Sequence, residues 1–424
     1  MIAAALIAAL LAQAPRVLTL DEALRTAREH QPQLRQARAG TEAARARADQ
    51  ARSPLLPQLS ATAGYQRSTV NPIQRPGLAT GTGTASWNTF GFYSGALTLN
   101  QLVWDFGQSL DRFRAAQAQA DASGKSEHTA ELQSAATVRA AYFDARAGKA
   151  LAAVASETLV NLQRHLEQIQ GFVEAGTRPP IDLAQARGDI ANAQLQLITA
   201  QNSFETAKAQ LNQAMGVLRD TDYDVADEVV PAIPGEDGTL EPLVEQAVKA
   251  RPEVTALQDQ VRAEELTKTS IRGAWWPAIG ASAGTTRGGT ALDHLGWNVA
   301  LGVNLSWQIF QGGLTTAQVH EAEANEGALL AQLDALKLQV GFDVSQARLA
   351  VRAAKASIAA VNDALVNARE RLRLAEGRYE TGAGSAIELG DAQVALSSAQ
   401  AQQVQADYRL ATARAQLLRA LGRS

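Results

Sequence analysis

Nearly the whole chain is written twice, and this duplication limits the fold more than any other feature of the sequence. Leu20, Ala27, Pro32, Pro57, Ala61, Ala63 and Gly64 recur 220 positions later as Leu240, Ala247, Pro252, Pro277, Ala281, Ala283 and Gly284. From Leu99 onward the offset is 206 and then holds. Leu99 pairs with Leu305, Gly107 with Gly313, Gly171 with Gly377, Gly176 with Gly382, Ile181 with Ile387 and Gly216 with Gly422. The 14 extra residues fall between Gly64 and Leu97, where Asn71, Pro72, Pro76, Gly77, Gly81 and Gly83 mark a turn-rich loop that tolerates insertion. A period above 200 residues is too long for a solenoid. The simplest account is two fused copies of one unit, at 15–219 and 240–424, joined by a linker at 220–239. Ahead of them, the apolar run Ile2 to Ala12 and the small-x-small triplet Ala12-Gln13-Ala14 read as a signal peptide over residues 1–14.

Within each copy the hydrophobic period switches from helix to strand and back. Leu20 to about Arg52 reads as helical, with Asp21 as its N-cap and a break at Pro32. In Trp297 to Gln308 one face is Trp297, Val299, Leu301, Val303, Leu305 and Trp307, and the other is Asn298, Ala300, Gly302, Asn304, Ser306 and Gln308. Strict alternation over 12 residues is longer than most globular strands. Four strands are expected, at about 57–67, 95–104, 277–287 and 296–308. Their length and apolar-outward pattern suit a membrane-crossing barrel better than a sandwich. Trp297, Trp307 and Trp104 would then lie at the membrane interfaces.

Proline-free stretches of over 60 residues follow each hairpin, Ser109 to Gln170 and Leu314 to Glu376. As helices they would be roughly 90–95 Å long. Leu333, Val340, Val344, Val351, Ile358, Leu365 and Leu372 recur at coiled-coil spacings. The long helix pairs span 108–216 and 313–422, but the second helix of each pair is about half as long as the first. The short helix before the strands, Leu34 to Arg52 or Val254 to Ile271, is expected to stack end to end with it and supply the missing length. The fold is therefore mainly α with a β-barrel portion. Four strands cannot close a barrel, and the smallest membrane barrels have eight, so the chain must assemble with itself in multiples of four strands.

Composition removes whole classes of function. A net charge of −4 argues against a nucleic-acid partner. The absence of cysteine excludes disulfides, thiolate metal sites and a lipid-modified cysteine. Gly280-Ala281-Ser282-Ala283-Gly284 fits G-x-S-x-G, but its serine falls on the polar side of an alternating strand. His30, His128, His165, His294 and His320 lack metal-site spacing. Arg28, Arg35, Arg38, Arg45 and Arg52 are interleaved with Glu22, Glu29, Glu42 and Asp49, which reads as a salt-bridged solvated face. No enzyme signature, cofactor or metal site is expected.

Three motif pairs carry a resemblance to a known family. Leu99-Asn100-Gln101-Leu102-Val103-Trp104-Asp105-Phe106-Gly107 matches Leu305-Ser306-Trp307-Gln308-Ile309-Phe310-Gln311-Gly312-Gly313. Phe172-Val173-Glu174-Ala175-Gly176 matches Arg378-Tyr379-Glu380-Thr381-Gly382, and Ile181-Asp182-Leu183 matches Ile387-Glu388-Leu389. With this order of elements the chain resembles the outer-membrane efflux protein family, the TolC-like outer membrane factors, from about residue 18 to 422. The resemblance implies a homotrimer in the cell outer membrane, a 12-strand barrel held by outer-membrane lipid above a 12-helix tunnel in the periplasm. Its expected partners are a periplasmic adaptor (membrane fusion protein) and an inner-membrane pump of the RND or ABC type. Such a complex performs efflux or type I secretion. The alternative is a periplasmic coiled-coil adaptor or structural spacer without a barrel.

The same resemblance implies the site residues. The adaptor-docking tips are Gly176 and Thr177 in the first copy and Gly382 and Ala383 in the second. The closing contacts map to Asp182 and Tyr379, and the acidic constriction to Glu388 and Asp391, which share a helix face at i and i+3. An arginine that supports closure in the family is replaced here by Gly384, which leaves Arg378 or Arg178 to wire the network.

Overall fold

The computed structural model describes residues 16–69 and 86–423; the expected signal peptide and the turn-rich loop lie outside the described residues. The elements run β1 (Val17–Leu18), α1 (Leu20–His30), α2 (Pro32–Arg52), β2 (Gln58–Ser68), β3 (Phe90–Trp104), α3 (Gln108–Glu174), α4 (Pro180–Met215), β4 (Asp224–Val225), α5 (Leu240–Ala250), α6 (Pro252–Gly273), β5 (Ala278–Gly289), β6 (Gly296–Ser306), α7 (Leu314–Glu380) and α8 (Ala386–Ala420). The series α1–α2–β2–β3–α3–α4 recurs as α5–α6–β5–β6–α7–α8, and both long helices have 67 residues. The chain divides into two compact units: a sheet unit (40–123 and 256–333) and a helical unit made of the remainder. Among the described residues no helix is long and apolar enough to cross a membrane.

In the sheet unit the strands lie in the order β2-β3-β5-β6, every neighbour antiparallel. The two hairpins, one from each copy, meet at β3 and β5. Directly opposed residues share a face, so the register sorts the side chains. One row reads Leu59, Leu99, Ala283, Leu301 and the next Ala61, Leu97, Thr285, Val299. The opposite face carries Ser60, Thr98, Gly284 and Ala300, then Thr62, Ala96, Thr286 and Asn298. The apolar face is open: Leu301 is 81% exposed and Val303 77%. A single bulge between Leu102 and Trp104 sets Trp104, rather than Val103, opposite Ile279 in the apolar row. Two strand limits differ from expectation. β3 begins at Phe90, because Gly91 and Gly95 interrupt its alternation, and β6 ends at Ser306, leaving Trp307 beyond the ladder.

In the helical unit the short helices stack as their lengths require. Gly216 ends α4 in the left-handed region (φ 73°), and a Cβ there would stand 2.6 Å from Gln31 Cα. Gln31 donates from Nε2 to the Ala214 carbonyl at 2.8 Å, closing the junction between α4 and α2. Gly422 repeats this against Ala250 and Arg251. The N-cap of α1 is Thr19, whose Oγ1 accepts from Glu22 N, and Asp21 lies instead in the first turn. Arg38 reaches Glu127 and Glu131 on the long helix rather than the acids of its own helix.

The linker is strapped down by the same positions of both copies. In the first copy Tyr142 donates to the Leu18 and Ala226 carbonyls. Lys149 holds Asp224 (2.6 Å) and Val225 O, and the buried Lys208 holds Thr221 O (2.7 Å). At an offset of 206 stand Arg348, Lys355 and Arg414. Arg348 donates to Gly238 O, Lys355 binds Glu236 (2.6 Å) and Asp237, and Arg414 forks onto Glu236 and reaches Val230 O.

Glu236 is 2% exposed. Burial pushes its pKa upward, but hydrogen bonds from Arg414, Lys355 and the Ile233 N–H outweigh that and hold it at about 2. A depressed folded pKa stabilises fully above the unfolded value of about 4.5 and is lost as pH falls toward 2. Thermal midpoints should therefore drop between those limits, and Glu236→Gln should flatten that slope while costing roughly 3 kcal/mol at neutral pH.

Candidate functional site: the paired helix tips

Each long helix turns back through a glycine whose backbone only that residue adopts without strain. Gly176 (φ 71°) follows α3, and the Thr177 N–H returns to Phe172 O at 3.0 Å, a Schellman closure. Thr177 Oγ1 donates to the same carbonyl at 2.8 Å. Gly382 (φ 80°) does this work after α7, and Ser385 caps α8 by accepting from Glu388 N. Beneath the tips Ile169, Ala375, Tyr379, Leu389 and Ala392 form a small core, with Phe172, Leu183 and Leu372 packed on it. Phe172 meets the Tyr379 ring edge-on at 6.1 Å.

Tyr379 is the junction between the two tips. It is 4% exposed, and its Oη approaches Asp182 Oδ2 at 3.4 Å, the outer limit of a hydrogen bond. Arg178, on the first tip, crosses to the second. Its Nη2 donates to Tyr379 O (2.6 Å), its Nη1 to Gly384 O (3.1 Å), and its Cζ lies 4.3 Å from the centre of the Tyr379 ring. A Cβ on Gly384 would come within 3.0 Å of Tyr379 N and 3.1 Å of Arg378, so a side chain there would require the backbone of the second tip to give by a few tenths of an ångström. Burial, with the Asp182 charge second, pushes the Tyr379 phenol above its ordinary value, against the opposing pull of Arg178.

Of the four residues assigned to closure and constriction, the structure brings Asp182 and Tyr379 together. Glu388 is engaged elsewhere, in a 2.9 Å ion pair with Arg378, which also reaches Ala383 O. Asp391 is exposed. Sequence reasoning missed Asp189 and Gln393, which line a small cavity beside Asp182 and Leu389. Burial raises the Asp189 carboxyl, and the Gln393 amide nitrogen is buried without a partner among the described residues. Gln393 ends the repeated segment Ile387-Glu388-Leu389-Gly390-Asp391-Ala392-Gln393, whose pattern gives it no role, and Asp189 lies beyond the matching segment of the first copy.

The aromatics occupy the two ends of the apolar sheet face. Near the helices Trp104 abuts Phe106 (6.0 Å), Phe106 stacks on Trp276 (5.3 Å, 22°), and Trp307 Nε1 donates to Trp275 O at 3.1 Å. At the other end stand Trp297, 73% exposed, and the Tyr65–Tyr93 pair at 4.8 Å. Trp297 and Trp307 are ten residues apart, about 34 Å along a strand and about 25 Å of height at barrel tilt. That is the height of a membrane barrel's apolar band.

A family model described as outer membrane efflux protein matches residues 23–217 and 243–423. The chain is 28% identical over 409 residues to Protein CyaE of Bordetella pertussis, covering 96% of this chain and 84% of that one. It is 26% identical over 333 residues to Outer membrane efflux protein BepC of Brucella suis (77% and 71%). Outer membrane protein TolC of Escherichia coli is 26% identical over 416 residues (92% and 79%). Among solved structures, outer membrane protein VceC of Vibrio cholerae superposes with a TM-score of 0.82 at 20% identity, covering 96% of each chain.

Removing the Arg178 fork should loosen the second tip without unfolding the helices. Hydrogen exchange at residues 377–385 should quicken in Arg178→Ala and only partly in Arg178→Lys, which keeps the charge but loses the fork. Tyr379→Phe, which keeps the buried ring, should cost about 1 kcal/mol or less. In the parent protein the phenol should titrate above its usual value near 10.

Proposed function

Since this chain belongs to the outer membrane efflux protein family, we propose that it serves as the outer-membrane exit duct of a tripartite efflux or type I secretion system. Its place is the outer membrane, where its relatives are channels. The observation that carries the reading is the open sheet. Its edges, β2 and β6, are 11-residue strands without a neighbour on their outer side among the described residues. An open edge facing lipid leaves a row of unpaired backbone groups, each costing several kcal/mol. Strand direction alternates across β2-β3-β5-β6, so β6 runs opposite to β2, and head-to-tail joining of copies makes every seam antiparallel. Three copies give a 12-strand barrel, with the apolar face outward and the small polar face lining the lumen. The helices of three copies form the periplasmic tunnel.

The duct is passive and needs no catalytic group; an inner-membrane pump supplies energy, and a periplasmic adaptor docks at Gly176, Thr177, Gly382 and Ala383. Asp182 and Tyr379 hold the tips closed. Glu388 and Asp391 share a helix face, and three copies set six carboxylates about one axis; Arg378 offsets the three Glu388 charges, and the three Asp391 carboxylates leave a net field that favours cations. A periplasmic spacer would have no use for an exposed apolar sheet face of membrane height.

Light scattering on detergent-extracted protein should give a mass near three times the 44.9 kDa chain, slightly less after signal removal. A detergent-independent monomer or dimer overturns the duct. In planar bilayers the parent channel should prefer cations, and Glu388→Gln with Asp391→Asn should reduce that preference several-fold. Unchanged selectivity would remove these two residues from the constriction.

A further inference from the structure

The four strands of the sheet contain two charged side chains, Arg67 in β2 and Arg287 in β5. They have the same sign, and the register puts both on the apolar face. Arg287 is opposite Trp297 on one side and Gly95 on the other. Arg67 is opposite Gly91, two residues beyond the Tyr65–Tyr93 pair. Both lie at the end of the sheet remote from the helices, and both are exposed. Arg67 Nε donates to Thr89 Oγ1 at 2.7 Å, while Arg287 has no hydrogen bond or ion pair among the described residues. No acidic residue occurs in any of the four strands. The nearest sequence acid, Asp293 in the β5–β6 turn, is strongly exposed beside His294.

A guanidinium on the lipid side of a barrel costs roughly 2–4 kcal/mol at the midplane and about 0–1 kcal/mol at an interface. These two arginines therefore belong at the headgroup level, their stems along the apolar surface beside the aromatic belt. There they remain charged and meet whatever anions the headgroups carry. The helices occupy the periplasmic side, so this end faces the outer leaflet.

We propose that Arg67 and Arg287 bind the phosphate groups of outer-leaflet glycolipid and fix the height of the barrel in the membrane. The occupant is a phosphate-bearing glycolipid, because the patch is wholly cationic, forked donors match phosphate geometry, and the flanking aromatic rings suit the sugar–acyl boundary. Three copies of the chain would carry six such arginines around the rim. The inference rests on the duct reading above, since it needs the apolar face to meet lipid.

The test uses the full-length protein extracted from membranes, with native mass spectrometry of retained glycolipid as the readout. The parent protein should retain phosphoglycolipid and lose it in high salt. Arg67→Gln with Arg287→Gln should retain at least fivefold less, while Arg67→Lys with Arg287→Lys should keep most of it. Vesicles of zwitterionic lipid alone and vesicles containing lipid A form a second arm. Trp297 emission should differ between the two for the parent and not for the glutamine variant, and inorganic phosphate alone should leave it unchanged. Equal glycolipid retention by the glutamine variant, with its assembly mass intact, overturns the proposal. Failure of the parent protein to enter any vesicle would instead bring down the duct reading.

Discussion

A backbone amide has no partner in hydrocarbon, and the architecture of this chain follows from that one fact. A four-strand sheet leaves two edges, and the strands at those edges keep 11 residues each, with Arg67 as the one charged side chain between them and no covering element among the described residues. Soluble proteins blunt such edges to avoid pairing. In the proposed duct these edges pair with other copies, and the alternation of strand direction makes each such seam antiparallel, like the pairs inside the chain. The duplication serves the same end. One copy supplies one hairpin; two fused copies supply a hairpin pair whose central contact, β3 with β5, is covalently guaranteed to form between halves of a single chain.

The fold was legible because each segment buries only one side. A one-sided strand must alternate, and a helix packed on one stripe must repeat at threes and fours, so both periods survive in the sequence. Where side chains are missing, the signal fails. Gly91 and Gly95 hide the first third of β3, although Gly91 leaves the face clear for the Tyr65 ring. The bulge before Trp104 was invisible for the opposite reason: Leu102, Val103 and Trp104 are all apolar, so nothing in their order says which one is displaced. Trp307 continues the alternation of β6 on paper, but its indole N–H is directed to Trp275 O and the ladder has already ended.

The site was legible to a different depth. Family resemblance assigned closure and constriction to Asp182, Tyr379, Glu388 and Asp391, because their positions are tied to the glycine turns of the repeat. It left open whether Arg178 or Arg378 wires the tips, since that depends on how two hairpins dock. The geometry separates them: Arg178 crosses between tips, while Arg378 stays within its own and neutralises Glu388. Gly384 then ceases to be a mere loss. With no side chain it lies flat against Tyr379 and Arg378, which exposes its carbonyl to Arg178 from the facing tip.

The linker shows how far the two copies have diverged while keeping one plan. Tyr142 reaches Leu18 O and Arg348 reaches Gly238 O, the same contact by position in each copy, made once by a phenol and once by a guanidinium. Lys149 and Lys355 both take side-chain carboxylates, and Lys208 and Arg414 both take backbone carbonyls. The first strap spreads its ion pairs over separate carboxylates, Lys149 on Asp224, Arg146 on Asp227 and Lys208 on Glu205, whereas the second gathers two cations around the buried Glu236. A charge with two partners cannot lose one without leaving the rest of the cluster desolvated and unbalanced. The second copy therefore concentrates its hold on the linker in one buried cluster, and the first distributes it over separate pairs.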